Sequence, residues 1–284
     1  MASKLDCKKV AQTIKDNVKK EVKELGKELT LAVVLVGNDP ASEVYVKNKE
    51  KVCEEVGIKS TVHKLPEDTT QEQLENLVKE LNNDDSVTGI LVQLPLPAHL
   101  NEQQAIDLIH PYKDVDGLTT HNQGLLVLGR VNEAILPCTP KGVLTLMDSV
   151  GYDLEGKHVT VLGRSNLFGK PMSQLLLSRN ATVTVCHSKT KRCDKEAAMQ
   201  LSSVIISAIG QASKVKLTYY YPTDLVIDVG INRNKNGEIV GDVDVKTLPK
   251  KCKYTPVPGG VGLLTTATLL ENVVECYKKM EQNK

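Results

Sequence analysis

Six short and almost unbroken apolar runs, separated by stretches of helical character, constrain this chain more than any other feature. They are LAVVLVG (31–37), GILVQLP (89–95), HVTVLG (158–163), ATVTVCH (181–187), VIISAIG (204–210) and LVIDVGIN (225–232). A strand with one wet face alternates polar and apolar residues. A run that is apolar at consecutive positions must be covered on both faces, as in a parallel sheet flanked by helices. Parallel neighbours need crossover connections, and the helical stretches between the runs supply them. The expected fold is therefore α/β, with open parallel sheets. Aromatic residues make up only 3% of the chain, with one Phe and no Trp, so Val, Leu, Ile and Ala must build the core.

A chain of 284 residues is long enough for two ordinary domains. The segment LPCTPKG marks a boundary near Pro137 to Pro140. Residues 1–137 form the first expected domain, and a fresh βαβ series over 138–262 forms the second. The last stretch, 263–284, reads as an amphipathic helix that returns to the first domain. Lys plus Arg number 36 and Asp plus Glu 35, a net charge of +1. That balance gives no electrostatic reason to expect nucleic acid or an anionic membrane as partner. No apolar run is long enough to span a bilayer. The N-terminus lacks the apolar core of a secretion signal and reads as a first helix, with Leu5, Val10, Ile14 and Val18 near one face. The seven cysteines form no CxxC pair, and no histidine cluster has metal-ligand spacing. Reduced thiols in a cytoplasmic protein without a metal site are expected.

The segment HVTVLGRSNLFGKPMSQLLLSRNATVTVCHSKT has the strand–turn–helix–strand layout of a dinucleotide-binding unit. Gly163 permits a tight turn, and Pro171 suits the first turn of a helix from about Met172. The free N–H groups of that helix start suit a pyrophosphate. Ser165 stands where a second glycine is expected. An NAD site carries an acid at the end of the second strand, to bond the ribose 2′-OH. Here Cys186-His187-Ser188-Lys189 has none, and Arg164 lies in the glycine loop. A cation and a hydroxyl without a carboxylate suit a 2′-phosphate, so NADP is expected over NAD.

NDPASEVYVKNKEKVCEEVG reads as a helix capped by Asp39, with Pro40 in its first turn and Gly57 as its stop. At about 100° per residue, Ala41, Val44, Val52 and Val56 fall on one side. Glu43, Lys47, Glu50, Lys51 and Glu54 fall opposite, toward solvent. Tyr45 and Lys49 share a face turned to the apolar side, with Ser42 beside them. An inward lysine either packs its stem and sends its ammonium to water, or presents a withdrawn amine that exchanges protons. Gln93 interrupts ILVQLPLP near a strand end, where ligands gather in parallel sheets or where an amide bonds neighbouring backbone. Asp116 lies in the loop KDVDG, with Asp114 as a competing acid that spacing does not exclude. Gly259 and Gly260, in TPVPGGVG, either make a turn or let backbone approach a ligand closely.

Taken together, DPASEVYVKNKEKVCEEVGI, GILVQLPLP, KDVDG, PCTPKGV, GRSNLFGKPM, CHSKT, DVGIN, GDV and TPVPGGVG resemble the methylenetetrahydrofolate dehydrogenase/cyclohydrolase family, in order and in spacing. The resemblance runs through nearly the whole chain. It implies a two-domain α/β protein with a Rossmann-type second domain, a folate cleft between the domains, and a homodimer formed through the cofactor domains. It implies that Lys49 is the catalytic lysine, Tyr45 its companion, Gln93 the glutamine bonded to it, and Asp116 the pterin-binding aspartate. It implies NADP contacts at Gly163, Arg164, Ser165, Ser188 and Ile231, and a substrate-side loop at Gly259 and Gly260, with Ser42 on the substrate side. The chain departs from the family where PGGVGPMT becomes PGGVGLLT, so that Leu263 and Leu264 replace Pro and Met. Altered loop stiffness is expected there. A monofunctional dehydrogenase, a shikimate-type dehydrogenase and a non-catalytic folate or nucleotide sensor are the competing readings. Retained Lys49, Gln93, Tyr45 and Asp116 speak against them.

Overall fold

The computed structural model describes residues 2–217 and 223–283, with the side chain of Ala41 excepted. In chain order the elements are β1 (Ser3–Lys4), α1 (Cys7–Leu25), β2 (Thr30–Val36), α2 (Pro40–Val56), β3 (Lys59–Leu65), α3 (Gln71–Asn83), β4 (Gly89–Val92), α4 (Glu102–Asp107), α5 (Thr120–Val127), α6 (Cys138–Ser149), β5 (His158–Leu162), α7 (Gly169–Leu177), β6 (Thr182–Cys186), α8 (Arg192–Leu201), β7 (Val204–Ser207), β8 (Leu225–Asp228), β9 (Asn232–Arg233), β10 (Ile239–Val240), β11 (Lys253–Tyr254) and α9 (Val261–Gln282). All six apolar runs contain strands. They pair in parallel, and the two sheets that hold them are parallel throughout.

The chain divides into two compact units. One comprises Gln12–Cys138 and Thr266–Lys284, around a sheet of order β3-β2-β4. All seven residues of β2 are buried, because helices cover both faces of this central strand. Ala32, Val34 and Val36 pack with Leu74, Val78 and Leu81 of α3 and with Ile90 and Val92 of β4. Strand β3 escapes sequence detection because it lies at the sheet edge and carries Lys59, His63 and Lys64. The C-terminal helix is tied to this unit by several bonds, among them those of Asn272 Nδ2 to Val115 O and to Leu136 O, each at 2.8 Å, that of Lys279 Nζ to Asn132 O at 2.9 Å, and an ion pair between Lys278 and Glu21.

The other unit comprises Met1–Ala11 and Thr139–Thr265, around a sheet of order β1-β11-β8-β7-β5-β6. Strand β5 pairs with β6 on one side and β7 on the other, so the winding direction reverses at β5. Such a reversal opens a crevice at the carboxyl ends of the strands, where α/β sheets take their ligands. The first residues differ from the expected 1–137 grouping. Strand β1 pairs with β11 in this sheet, through two residues too few and too polar to leave a sequence signal. Antiparallel β9 and β10 form a small separate ladder.

Candidate functional site

Helix α2 begins and ends where its sequence dictates. The Asp39 side chain accepts from Ser42 N, Pro40 takes the first turn, and Gly57 closes the helix with φ +84°. The facing of the helix differs from expectation. Its buried positions are Ser42, Val46, Cys53 and Val56, whereas Val44 is 58% exposed and Tyr45 is 50% exposed. Hydrophobicity alone favours Val44, but small polar residues can fill a buried stripe when their polar atoms are satisfied. The Ser42 hydroxyl donates to Asp39 Oδ2 at 2.8 Å. Lys49 falls within this stripe, between Val46 and Cys53, which turns it inward for a reason independent of chemistry.

The inward lysine meets a partner. Lys49 Nζ donates to Gln93 Oε1 at 2.8 Å. Gln93 is buried just beyond β4. Its backbone N–H donates to Val34 O at 2.9 Å, and its side-chain NH2 donates to Leu94 O at 2.7 Å. With its donor committed, its carbonyl faces the lysine. Asp116 lies within electrostatic reach of Lys49. Burial pushes its carboxyl above the usual carboxylate range, and the Lys49 ammonium pulls it back. The Asp114 charge adds to the rise, and a hydrogen bond from Cys138 opposes it.

The two acids of KDVDG, both candidates in the sequence, differ in their partners. Buried Asp114 accepts from Leu118 N at 3.2 Å, Thr119 N at 2.8 Å and Asn122 Nδ2 at 2.9 Å. Its oxygens are engaged by the loop that follows, whereas the side-chain hydrogen bond of Asp116 is with Cys138. Gly117 has φ +65°, and a Cβ there would stand 2.5 Å from Ile135 O. Lys113 is a residue that sequence reasoning missed. Its buried ammonium donates to Leu81 O at 3.2 Å, Asn82 O at 2.9 Å and Asp84 O at 2.8 Å, and so holds the end of α3 against the loop. Its position beside Asp114 in KDVDG was the only available signal.

At the carboxyl end of β5 the glycine loop is built for close approach. Gly163 has φ +120°, and a Cβ there would lie 2.4 Å from Ala208 O. A Cβ on Gly169 would lie 2.3 Å from Gly163 O. Ser165, in place of a second glycine, accepts from Phe168 N at 3.2 Å and from Gly169 N at 3.5 Å, and so shapes the approach to α7. That helix starts at Gly169, one turn before the expected Met172. After β6 the chain turns tightly: His187 N donates to Thr190 Oγ1 and Thr190 N to His187 O, each at 2.9 Å. Ser188, Lys189, Arg164 and Ser165 are exposed there, and among the described residues neither Arg164 nor Lys189 forms an ion pair. Free cations, a hydroxyl pair and a backbone cradle that any Cβ would fill fit a phosphorylated dinucleotide.

Ile231 is 58% exposed just beyond β8. Gly259 has φ +91°, and a Cβ on Gly260 would stand 2.1 Å from Pro256 O, so both glycines are required by backbone geometry. The Leu263 and Leu264 departure resolves into two roles. Leu264 is fully buried, whereas Leu263 is 41% exposed and its N–H donates to Gly260 O at 3.1 Å, a bond that proline could not make. Among the described residues no group of three or more His, Cys, Asp or Glu could hold a metal ion. Among the described residues no helix is long and apolar enough to cross a membrane.

The chain as a whole is similar to known proteins. The family model described as the tetrahydrofolate dehydrogenase/cyclohydrolase catalytic domain matches residues 5–116. The model for the NAD(P)-binding domain of the same family matches residues 137–281. The bifunctional protein FolD of Agathobacter rectalis is 48% identical over 98% of this chain and 100% of its own. The crystal structure of the bifunctional methylenetetrahydrofolate dehydrogenase/cyclohydrolase FolD from Campylobacter jejuni is 46% identical, with a TM-score of 0.93 over 99% of this chain and 100% of that one. The Trypanosoma brucei dehydrogenase-cyclohydrolase, solved with NADP cofactor and an inhibitor, is 35% identical, with a TM-score of 0.91 over 99% of each chain. With two family models matched in succession along almost all of its length, this chain belongs to the tetrahydrofolate dehydrogenase/cyclohydrolase family.

Proposed function

We propose a division of labour among the residues of this bifunctional enzyme, which oxidises methylenetetrahydrofolate to methenyltetrahydrofolate with NADP and hydrolyses that product to 10-formyltetrahydrofolate. In the first step a hydride leaves a carbon held between two nitrogens. Those nitrogens stabilise the cation that forms, so the protein's task is alignment rather than proton removal. NADP, when bound, supplies the hydride acceptor. Gly163 gives its pyrophosphate access to backbone, and Arg164, Ser165 and Ser188 take the 2′-phosphate. Ile231 borders the nicotinamide end. Gly259 and Gly260 form the substrate-side loop, and Ser42 lies on the same side.

The second step needs a proton carrier. Water attacks the methenyl carbon and gives up a proton; the hydroxyl so formed gives up its own proton to solvent as the bond from that carbon to one ring nitrogen breaks, and that nitrogen takes a proton. Lys49 is the carrier, an amine accepting from the attacking water and an ammonium donating to the departing nitrogen. Gln93 orients it through the 2.8 Å bond to Nζ, the observation that carries this reading. Tyr45 stacks on the aminobenzoate ring, and its half-exposed face is available for that. Asp116 accepts from pterin N–H groups. The enzyme acts as a cytoplasmic homodimer joined through its cofactor domains, and its product feeds purine biosynthesis. In support of such pairing, β6 is a sheet edge with Val185 38% exposed.

The test follows NADPH and methenyl absorbance together after methylenetetrahydrofolate and NADP are added. The proposal expects NADPH to form while the methenyl compound stays low. Methenyl product accumulating in step with NADPH would limit the chain to dehydrogenation, and no reduction at all would make it a sensor.

A further inference from the structure

Two buried acids that sequence reasoning left unassigned, Asp228 in DVGIN and Asp242 in GDV, interlock at the carboxyl ends of β7 and β8. Asp242 is fully buried. Its Oδ2 accepts from Ser207 Oγ at 3.0 Å and Ile209 N at 2.7 Å, and its Oδ1 from Gln211 N at 2.8 Å and Asn232 Nδ2 at 2.9 Å. Asp228 in turn holds the backbone of Asp242. Its Oδ1 accepts from Asp242 N at 2.9 Å and Gly230 N at 3.0 Å, and its Oδ2 from Val243 N at 2.8 Å. The glycines of both motifs follow from this packing. A Cβ on Gly230 would stand 2.3 Å from Asp242 Cγ, and one on Gly241 would stand 2.0 Å from Asp228 Oδ2.

Among the described residues neither acid forms an ion pair, so both carboxylates lean on N–H and O–H donors alone. Two buried carboxylates without a cation are a costly way to fill a core, where apolar residues would serve better. What the pair achieves is conformational. It ties the loop after β7, through Ile209 and Gln211, to the loop after β8. Ile231 sits between Gly230, bonded to Asp228, and Asn232, bonded to Asp242. Its backbone is therefore fixed on both sides while its side chain stands outward, 58% exposed. Loops at this end of a parallel sheet border the ligand crevice.

We propose that Asp242, backed by Asp228, is a positioning residue for hydride transfer: it sets the backbone on either side of Ile231 so that this side chain borders the nicotinamide ring. The inference rests on the assignment of Ile231 to the cofactor site made above. Hydrolysis of methenyltetrahydrofolate without cofactor does not depend on it.

The test measures three quantities on Asp242→Asn and Ile231→Ala: dehydrogenase kcat at saturating NADP, the Kd of adenosine 2′,5′-bisphosphate, and cofactor-free hydrolysis of methenyltetrahydrofolate. Misplacement of a reacting group by about 1 Å costs up to about a hundredfold in rate. Asp242→Asn is therefore expected to lower dehydrogenase kcat by about ten- to a hundredfold, with the bisphosphate Kd and the hydrolysis rate within about twofold of the parent. If Asp242→Asn does not fold, Asn232→Ala removes one donor from Asp242 Oδ1, and a several-fold fall in kcat alone is expected. Unchanged kcat, or a parallel fall in all three quantities in a folded variant, overturns the proposal. An unaffected Ile231→Ala would instead remove the cofactor assignment beneath it.

Discussion

Replacing Lys113 with methionine is the most informative perturbation of the fold beneath the site. Methionine keeps most of the apolar stem and removes the ammonium. Three carbonyls lose their donor: Leu81 O, Asn82 O and Asp84 O, now bonded at 3.2, 2.9 and 2.8 Å. A buried acceptor left unpaired costs about 1–3 kcal/mol. These carbonyls end a helix partly open to water, so about 1 kcal/mol each applies, or about 3 kcal/mol in all. With a urea m-value of about 2 kcal/mol/M, the midpoint falls by about 1.5 M. Burial holds the Lys113 ammonium below the usual lysine range, with Asp84 and Asp85 opposing. A lysine with a lowered folded pKa binds fewer protons folded than unfolded in the window just below the usual lysine value. In that window the native protein gains stability as pH rises, and the variant does not. The assay is urea unfolding followed by far-UV circular dichroism near pH 7 and near pH 10. A midpoint that is unchanged or raised in Lys113→Met would refute the clamp.

Three other outcomes are expected. Gly169→Ala places a Cβ 2.3 Å from Gly163 O, a backbone clash that must move the phosphate loop. Calorimetric titration should show NADP bound about tenfold more weakly, some 1.4 kcal/mol, and unaltered affinity would contradict the cradle. Burial pushes the Asp228 carboxyl up to about 6, against the hydrogen bonds it accepts. The native state therefore binds the extra proton, and this group's contribution to stability declines as pH rises from about 4 to about 6 and then levels. A carbon-13 titration of the Asp228 carboxyl should show its midpoint near 6, and a midpoint near 4 would contradict its burial. Burial also raises the Cys7 thiol to about 11 and those of Cys53 and Cys252 to about 12. Six of the seven cysteines are buried and Cys193 is exposed. A chromogenic disulfide should thus react rapidly with one thiol in the native protein, and several fast equivalents would count against the packing.

Much of this architecture was legible because two strong signals report buried backbone. Consecutive apolar residues marked the six strands, and the Asp39, Pro40 and Gly57 trio marked both ends of α2. What stayed hidden obeys weaker or longer-range rules. Strand β3 is a polar edge, and β1 and β11 are two residues each. The facing of α2 was misread because valine was given priority over Ser42, whose hydroxyl is satisfied locally by Asp39. Spacing could not rank Asp114 against Asp116, because the donors that occupy Asp114 come from residues four to eight positions further on. Lys49 and Gln93 stood out singly as polar residues in apolar settings. Their bond joins positions 44 residues apart and depends on β4 lying beside β2. The roles of Asp228 and Asp242 depend likewise on two loops meeting, which no local pattern records.

The account turns on Lys49 as the proton carrier of hydrolysis. Lys49→Met keeps the apolar stem in the buried stripe and removes only the amine. The decisive measurement is the rate at which this variant hydrolyses methenyltetrahydrofolate, taken beside its affinity for NADP. Loss of turnover by about a hundredfold or more, with NADP binding unaltered, is the predicted result. Undiminished hydrolysis would contradict it.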